Sequence, residues 1–352
     1  MRDGYGGSYR GSRYRGRRGG GLGKGLLILP LAAALLALAL WAGRGVLDKL
    51  GERESRPTPT PAVEQTPVPE ESNAPVQANR PEAVRGVYVS GAVAGNAKMD
   101  EIIELLDATE LNAVVIDVKN DDGQLTYIAQ EGMAKDIGAC VSFVSDMPAL
   151  LQKLKEHNIY TIARVVAFKD PLLAKARPDL TLKSRDGSTV KEGGLPWVDP
   201  FQPEVRDYLT EIALDAADLG FDEVQFDYVR FSTGKGGDDL LVTPASEGKS
   251  RADGICEFLD QVSSALEERG VALSADVFGT VIMNKTDADH LGQDYAKMGQ
   301  AVDVICPMVY PSHYASGVFG LEVPDAQPYG TILNIMDRSK TALGKVPEEE
   351  RP

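Results

Sequence analysis

The sequence is poor in the residues that most metal and nucleophile centres need. It has three histidines and three cysteines in 352 residues. His157, His290 and His313 show no paired spacing, so a multi-histidine metal centre is not written here, and no metal or cofactor is expected. A divalent ion on Asp117, Asp227, Asp276 and His313 is the competing chemistry, disfavoured by the missing histidine pair. Cys140, Cys256 and Cys306 are an odd set in apolar surroundings. They read as small hydrophobes and imply no disulfide framework. The chain lacks a Gly-x-Ser-x-Gly elbow, which disfavours a Ser-His-Asp hydrolase. No Gly-x-Gly-x-x-Gly follows the first predicted strand, which disfavours a dinucleotide-binding sheet.

Positive charge is also scarce, except at one end. The net charge is −15, but residues 1–24 carry seven Lys/Arg and one Asp. That arm is about +6, which leaves about −21 for the rest. An acidic body repels nucleic acid and anionic lipid but does not oppose a neutral glycan. Alone, the Gly/Arg/Tyr-rich arm resembles an RNA-binding segment. It runs, however, into residues 25–45, whose core Leu26–Ala42 has no charge. At 1.5 Å per residue that core spans roughly 25 Å, enough for a thin bilayer. Arg17, Arg18 and Lys24 precede it, so the arm is expected in the cytoplasm and the body outside the cell membrane. A cleaved signal peptide is the rival, with small residues at Ala37-Leu38-Ala39. On this reading the membrane is a partner and nucleic acid is not.

Residues 46–84 form a predicted linker, with Pro57, Pro59, Pro61, Pro67, Pro69, Pro75 and Pro81 among Thr, Glu and Ser. Such a composition cannot bury enough apolar surface to fold, so it is expected to be disordered and extended. From residue 85 to 352 the pattern alternates. Strands are predicted at Gly86–Val89, Ala113–Val118, Ile159–Val166, Phe221–Phe231, Ala272–Val277 and Val302–Met308. Helices are predicted at about 97–109, 146–157, 203–219, 251–269, 287–299 and 329–343. Six βα units at this spacing predict an α/β fold, a (β/α)8 TIM-type barrel lacking its last two βα units.

In such a barrel the chemistry sits at the C-terminal strand ends. Three predicted strands end in an aspartate: Asp117, Asp227 and Asp276. Asp227, in Gln-Phe-Asp-Tyr-Val-Arg-Phe (225–231), precedes a Gly-rich loop. It reads as a catalytic carboxylate or as a cap of that loop. Glycoside hydrolysis needs two carboxyl groups flanking one bond, and Asp227 and Asp276 fall on consecutive strands. A structural ring of polar groups is the alternative for Asp117 and Asp276. Asp117, Lys119 and Arg164 are candidates for positioning substrate. Trp197, on a long loop, is a candidate sugar-stacking face or a loop anchor. Asp199 reads as the N-cap of the helix near Pro203. Arg230 reads as a substrate contact or as a salt-bridge partner of a barrel carboxylate. Tyr310, His313 and Tyr314, after the last strand, are further candidate contacts.

Six ordered blocks carry a resemblance. They are Arg-Gly-Val-Tyr-Val-Ser (85–90), Ile-Asp-Val-Lys-Asn-Asp-Asp-Gly (116–123), Ile-Ala-Arg-Val-Val-Ala-Phe-Lys-Asp (162–170), Trp-Val-Asp-Pro (197–200), Gln-Phe-Asp-Tyr-Val-Arg-Phe (225–231) and Cys-Pro-Met-Val-Tyr-Pro-Ser-His-Tyr (306–314). Residues 85–352 resemble the "putative glycosyl hydrolase domain" family of bacterial surface proteins, similar to α-amylase and α-galactosidase type barrels. The resemblance implies an Asp nucleophile after the fourth barrel strand, here Asp227. It implies an acid after strand five, where amylase-type barrels carry Glu and this chain carries Asp276, or after strand six as in the galactosidase type. It also implies further strands beyond Pro352. The expected function is a membrane-anchored, extracytoplasmic glycoside hydrolase of a cell-wall or extracellular polysaccharide. A non-catalytic glycan-binding surface protein is the alternative.

Overall fold

Apolar strands alternating with amphipathic helices fold into a parallel α/β half-barrel. The computed structural model describes residues 80–348 and 351–352. The predicted arm, the anchor and the linker up to residue 79 lie outside the described residues. Among those described, no helix is long and apolar enough to cross a membrane.

Among the described residues eight strands are formed: β1 (Gly86–Val89), β2 (Ala113–Lys119), β3 (Tyr160–Val166), β4 (Lys191–Glu192), β5 (Leu195–Pro196), β6 (Glu223–Asp227), β7 (Ala272–Phe278) and β8 (Val304–Met308). Six make one sheet in the order β1-β2-β3-β6-β7-β8, with every neighbouring pair parallel. β4 and β5 form an antiparallel hairpin inside the long excursion between β3 and β6. Helices α1 (Lys98–Asp107), α2 (Met147–Glu156), α3 (Pro203–Leu219), α4 (Arg251–Glu267) and α5 (Tyr295–Ala301) fall in successive crossovers, and α6 (Pro328–Leu343) follows β8. β1 and β8 are the sheet edges, so the six described strands do not close on each other.

The strands are apolar because helices and lumen cover both faces. In β2, Ala113, Val114, Ile116 and Val118 are fully buried. Helix boundaries follow the local chemistry. Pro203 starts α3, and Gly220, at φ 107°, ends it in the left-handed conformation that glycine adopts without a Cβ clash. Ser250 caps α4 in a capping box with Asp253. Phe258 of α4 packs edge-on against Phe226 of β6 and Phe168, at centroid distances of 4.9 and 5.2 Å. That contact fixes Phe226 toward the helix layer. Strand alternation then sends its neighbour Asp227 to the other face.

Three local expectations are corrected. The strand predicted at Phe221–Phe231 is limited to Glu223–Asp227, because Tyr228 turns the chain at φ 52°. The helix predicted at 287–299 divides into Lys285–Leu291 and α5, because Gly292 adopts φ 72° and Asp294 caps a new start. Asp199 does not cap α3, whose N-cap is Gln202. It accepts instead from the Phe201 amide at 3.0 Å and the Gln202 side chain at 3.1 Å. It braces the turn before the helix.

Candidate active site

The C-terminal ends of the strands open into a cavity of about 710 Å³. Asp227 and Asp276 line it together. The last paired residues of β6 and β7 are Phe226 and Ala275. The next residue on each strand is an aspartate, so the two carboxyl groups leave the sheet side by side.

Their surroundings differ. Asp227 accepts from Arg164 Nη2 at 2.6 Å and Nε at 3.1 Å, and from the Tyr228 amide at 2.7 Å. Asp276 has no side-chain hydrogen bond or ion pair among the described residues. Burial, together with the nearby Asp227 charge, pushes its carboxyl well above the usual carboxylate range, and Arg164 opposes this only in part. The pair thus sets an ion-paired carboxylate beside a carboxyl group whose charged form is disfavoured by burial and by its neighbour.

The turn at Tyr228 aims Asp227. A non-glycine residue at φ 52° costs about 1–2 kcal/mol. The cost is offset by local contacts. The Ala167 amide donates to the Asp227 carbonyl at 2.8 Å. The Tyr228 ring lies 4.4 Å from Lys169 Nζ and 5.5 Å from the Arg230 guanidinium.

Arg164 joins the carboxylates. Besides Asp227 it reaches Asp117 at 2.7 Å and Asp121 at 3.3 Å. Asp117 is buried and also accepts from the Tyr88 hydroxyl at 2.5 Å. It sits behind Arg164 and orients it, outside the cavity wall. Lys119 is displaced further. The β2–β3 register slips between Asp117 and Lys119, and a one-residue slip sends a side chain to the opposite face. Lys119 Nζ donates to the Val166 carbonyl at 2.6 Å and pairs with Asp170 at 3.0 Å, both side chains at 0% exposure. A substrate cannot touch it, so its predicted substrate role is corrected to a structural one.

Trp197 lines the cavity, and of its two readings the loop anchor fits the structure. It is 1% exposed, and its ring lies under the Arg230 guanidinium at 4.6 Å. That face is not free for a sugar. Arg230 is buried between Trp197 and Phe278 and pairs with Glu192 of the β4–β5 hairpin at 3.0 Å, not with a barrel carboxylate. Tyr310, 51% exposed, and His313 form the rim after β8 with ring centroids 5.1 Å apart, and both line the cavity with Tyr314. Gly279 lets this rim approach: a Cβ there would meet Tyr314 Oη at 2.7 Å and the Met308 carbonyl at 2.9 Å.

Sequence reasoning missed Asp121, Lys169, Tyr228 and Glu192, all on the cavity wall. The first three lie inside the blocks quoted above, beyond the strand ends. Glu192 had no local signal. It accepts from Arg230, from the Ser232 hydroxyl at 3.1 Å and from the Thr233 amide at 3.0 Å. Burial pushes its carboxyl up, but these bonds and the Arg230 charge outweigh it and hold the group below its usual range. Among the described residues no three His, Cys, Asp or Glu side chains converge as a metal-ligand set.

A family model described as "Putative glycosyl hydrolase domain" matches residues 86–352. A search of curated proteins finds no match. Among solved structures, the chain is similar to a hypothetical protein from Ruminiclostridium thermocellum ATCC 27405. The identity is 36% over 54% of this chain and 97% of that one, with a TM-score of 0.49. It is also similar to the PgaB (BpsB) glycoside hydrolase domain from Bordetella bronchiseptica, at 13% identity over 72% of this chain and 81% of that one, with a TM-score of 0.54. At that identity the second likeness establishes the fold only.

Proposed function

The chain belongs to the "Putative glycosyl hydrolase domain" family, and from that premise we propose that it hydrolyses glycosidic bonds in the cavity holding Asp227 and Asp276. One observation carries the reading. Two carboxyl groups leave neighbouring strands side by side, one ion-paired to Arg164 and one whose affinity for a proton is raised by burial. Paired carboxyl groups in opposed settings are what acid-assisted glycoside cleavage needs. Asp276 gives its proton to the glycosidic oxygen as the C–O bond breaks. Asp227 faces the anomeric carbon as nucleophile or as stabiliser of its developing positive charge. Arg164, oriented by Asp117, holds Asp227 in place, and Tyr310 and His313 flank the bound sugar.

The apolar segment 25–45 and the Pro-rich segment after it support a further part of the proposal. They anchor the domain to the cell membrane and hold it outside, where cell-wall or extracellular polysaccharide is the substrate. The test is reducing-sugar release from α- and β-linked glycans and purified cell wall, comparing the chain with its Asp227→Asn variant. Release that disappears in the variant is expected. Equal release from both removes Asp227 from the chemistry. Binding without release from any glycan favours the non-catalytic reading.

A further inference from the structure

Asp121 and Lys169 face each other from the loops after β2 and β3, with Lys169 Nζ 2.9 Å from Asp121 Oδ1. Both line the cavity, and their side chains keep 43% and 18% exposure. The Tyr228 ring backs the ammonium, with the hydroxyl 3.5 Å away. Asp121 Oδ2 receives long contacts from Arg164, at 3.3 and 3.4 Å, and the Tyr228 hydroxyl also bonds to the Asp121 carboxylate. Burial pushes the Asp121 carboxyl up, but Lys169 and Arg164 outweigh it and hold it below the usual range. Burial pulls Lys169 down, and Asp121 more than restores it. The pair is therefore an ammonium beside a carboxylate. An ammonium carries three donors and a carboxylate about four acceptor sites; Lys169 uses two donors, on Asp121 and Tyr228, and the Arg164 contacts on Asp121 are long enough to yield to a ligand hydroxyl.

We propose that Asp121 and Lys169 are a sugar-binding pair that holds two neighbouring hydroxyls of an uncharged pyranose whose anomeric carbon lies at Asp227. The proposal rests on the reading that this cavity receives a glycan. A donor and an acceptor one hydrogen bond apart match a vicinal diol. One hydroxyl donates to Asp121, and the next accepts from Lys169. Arg164 bridges Asp121 and Asp227, so the pair stands one guanidinium away from the reacting carbon. The charge pattern selects an uncharged ring. Each Arg or Lys of the wall is already paired: Arg164 with three aspartates, Lys169 with Asp121, and Arg230 with Glu192. A uronate or phosphate would meet Asp121, Glu192 and Asp227 with no spare cation in the wall.

The test is binding, followed by NMR titration of the full chain with methyl glycosides. The probes are glucoside, galactoside, mannoside, N-acetylglucosaminide, glucuronide, and the 2-, 3- and 4-deoxy forms of whichever neutral sugar binds. A neutral glycoside is expected to bind in preference to the glucuronide. D121N and K169M are expected to weaken it about tenfold to a hundredfold, the range for a lost hydrogen bond to a charged group. K169R, which keeps the charge, should retain part of the affinity. The deoxy sugar lacking the contacted hydroxyl should bind the wild type weakly and lose nothing further in the variant. Unchanged affinity in both variants, or no neutral pyranose bound by the wild type, overturns the proposal. This binding pattern without turnover on any glycan would leave the pair standing and remove the hydrolase reading. Turnover with unchanged affinities would do the reverse.

Discussion

Two lysine–aspartate pairs join the same two loops, and they are cross-wired. Lys119 from the end of β2 pairs with Asp170 after β3, at 3.0 Å. Asp121 after β2 pairs with Lys169 after β3, at 2.9 Å. Their chemistry and length are nearly the same, and their surroundings are opposite. The first pair is sealed from solvent, and Asp170 also caps the helix Pro171–Ala176 by accepting from the Leu173 amide at 2.8 Å. The second opens into the cavity beside Asp227. A charged pair in a barrel loop is thus a pillar or a recognition group according to burial, and residue type alone does not distinguish them.

The largest expected effect lies on the open side and would break the comparison if absent. Asp276→Asn should lower glycan turnover by about 10²–10⁴-fold, the usual contribution of a positioned acid or base. Folding should be intact by circular dichroism. Turnover above about half of wild type would move the acid elsewhere in the cavity.

On the sealed side, Lys119→Met should destabilise the fold by about 3–5 kcal/mol, because Asp170 is left buried without its cation. Replacing Asp170 as well should recover part of that loss. Lys169→Met should cost less than about 1 kcal/mol, as expected for a partly exposed pair. Urea denaturation of the three variants measures the contrast. Equal losses from Lys119→Met and Lys169→Met would erase it.

A pH dependence sharpens it further. The raised Asp276 pKa means that the folded state keeps a proton which the unfolded chain releases near pH 4. Its contribution to stability is fully present below the unfolded value and is lost as pH rises through the folded value. Asp276→Asn should therefore raise the melting temperature relative to wild type more at pH 8 than at pH 4. Wild-type kcat/KM should fall on the alkaline side as Asp276 gives up its proton. A stability difference independent of pH would show that Asp276 is ionised in the fold.

The smallest effect concerns the rim. Tyr310→Ala should raise KM by a few-fold with little change in kcat, in line with the roughly 0.5–1.5 kcal/mol of an aromatic contact. Trp197→Ala should instead lower stability, because the ring is buried under Arg230.

Much of the architecture was legible in the sequence. Each of the six sheet strands matches a predicted segment, and Gly86–Val89 and Pro203–Leu219 match to the residue. Apolar continuity and caps such as Gly220 are local signals, and local signals set element type. The errors fall where the register or an unusual backbone angle intervened. Strand alternation puts Asp117 and Lys119 on one face, and the slip between them removed Lys119 from the mouth. Tyr228, at φ 52°, ended β6 early and turned Asp227 into the cavity. Glu192 came to the wall from a hairpin far along the chain, through a bond to Arg230.

The sequence by itself determined the parallel βα order and the aspartates near the strand ends, because hydrophobic periodicity and helix stops are written residue by residue. Only the tertiary structure decided which charged groups face the cavity and in what state. Burial, register and the meeting of distant loops set that outcome, and they left Asp276 without a cation of its own, Lys119 sealed, and Asp121 and Lys169 open to the cavity.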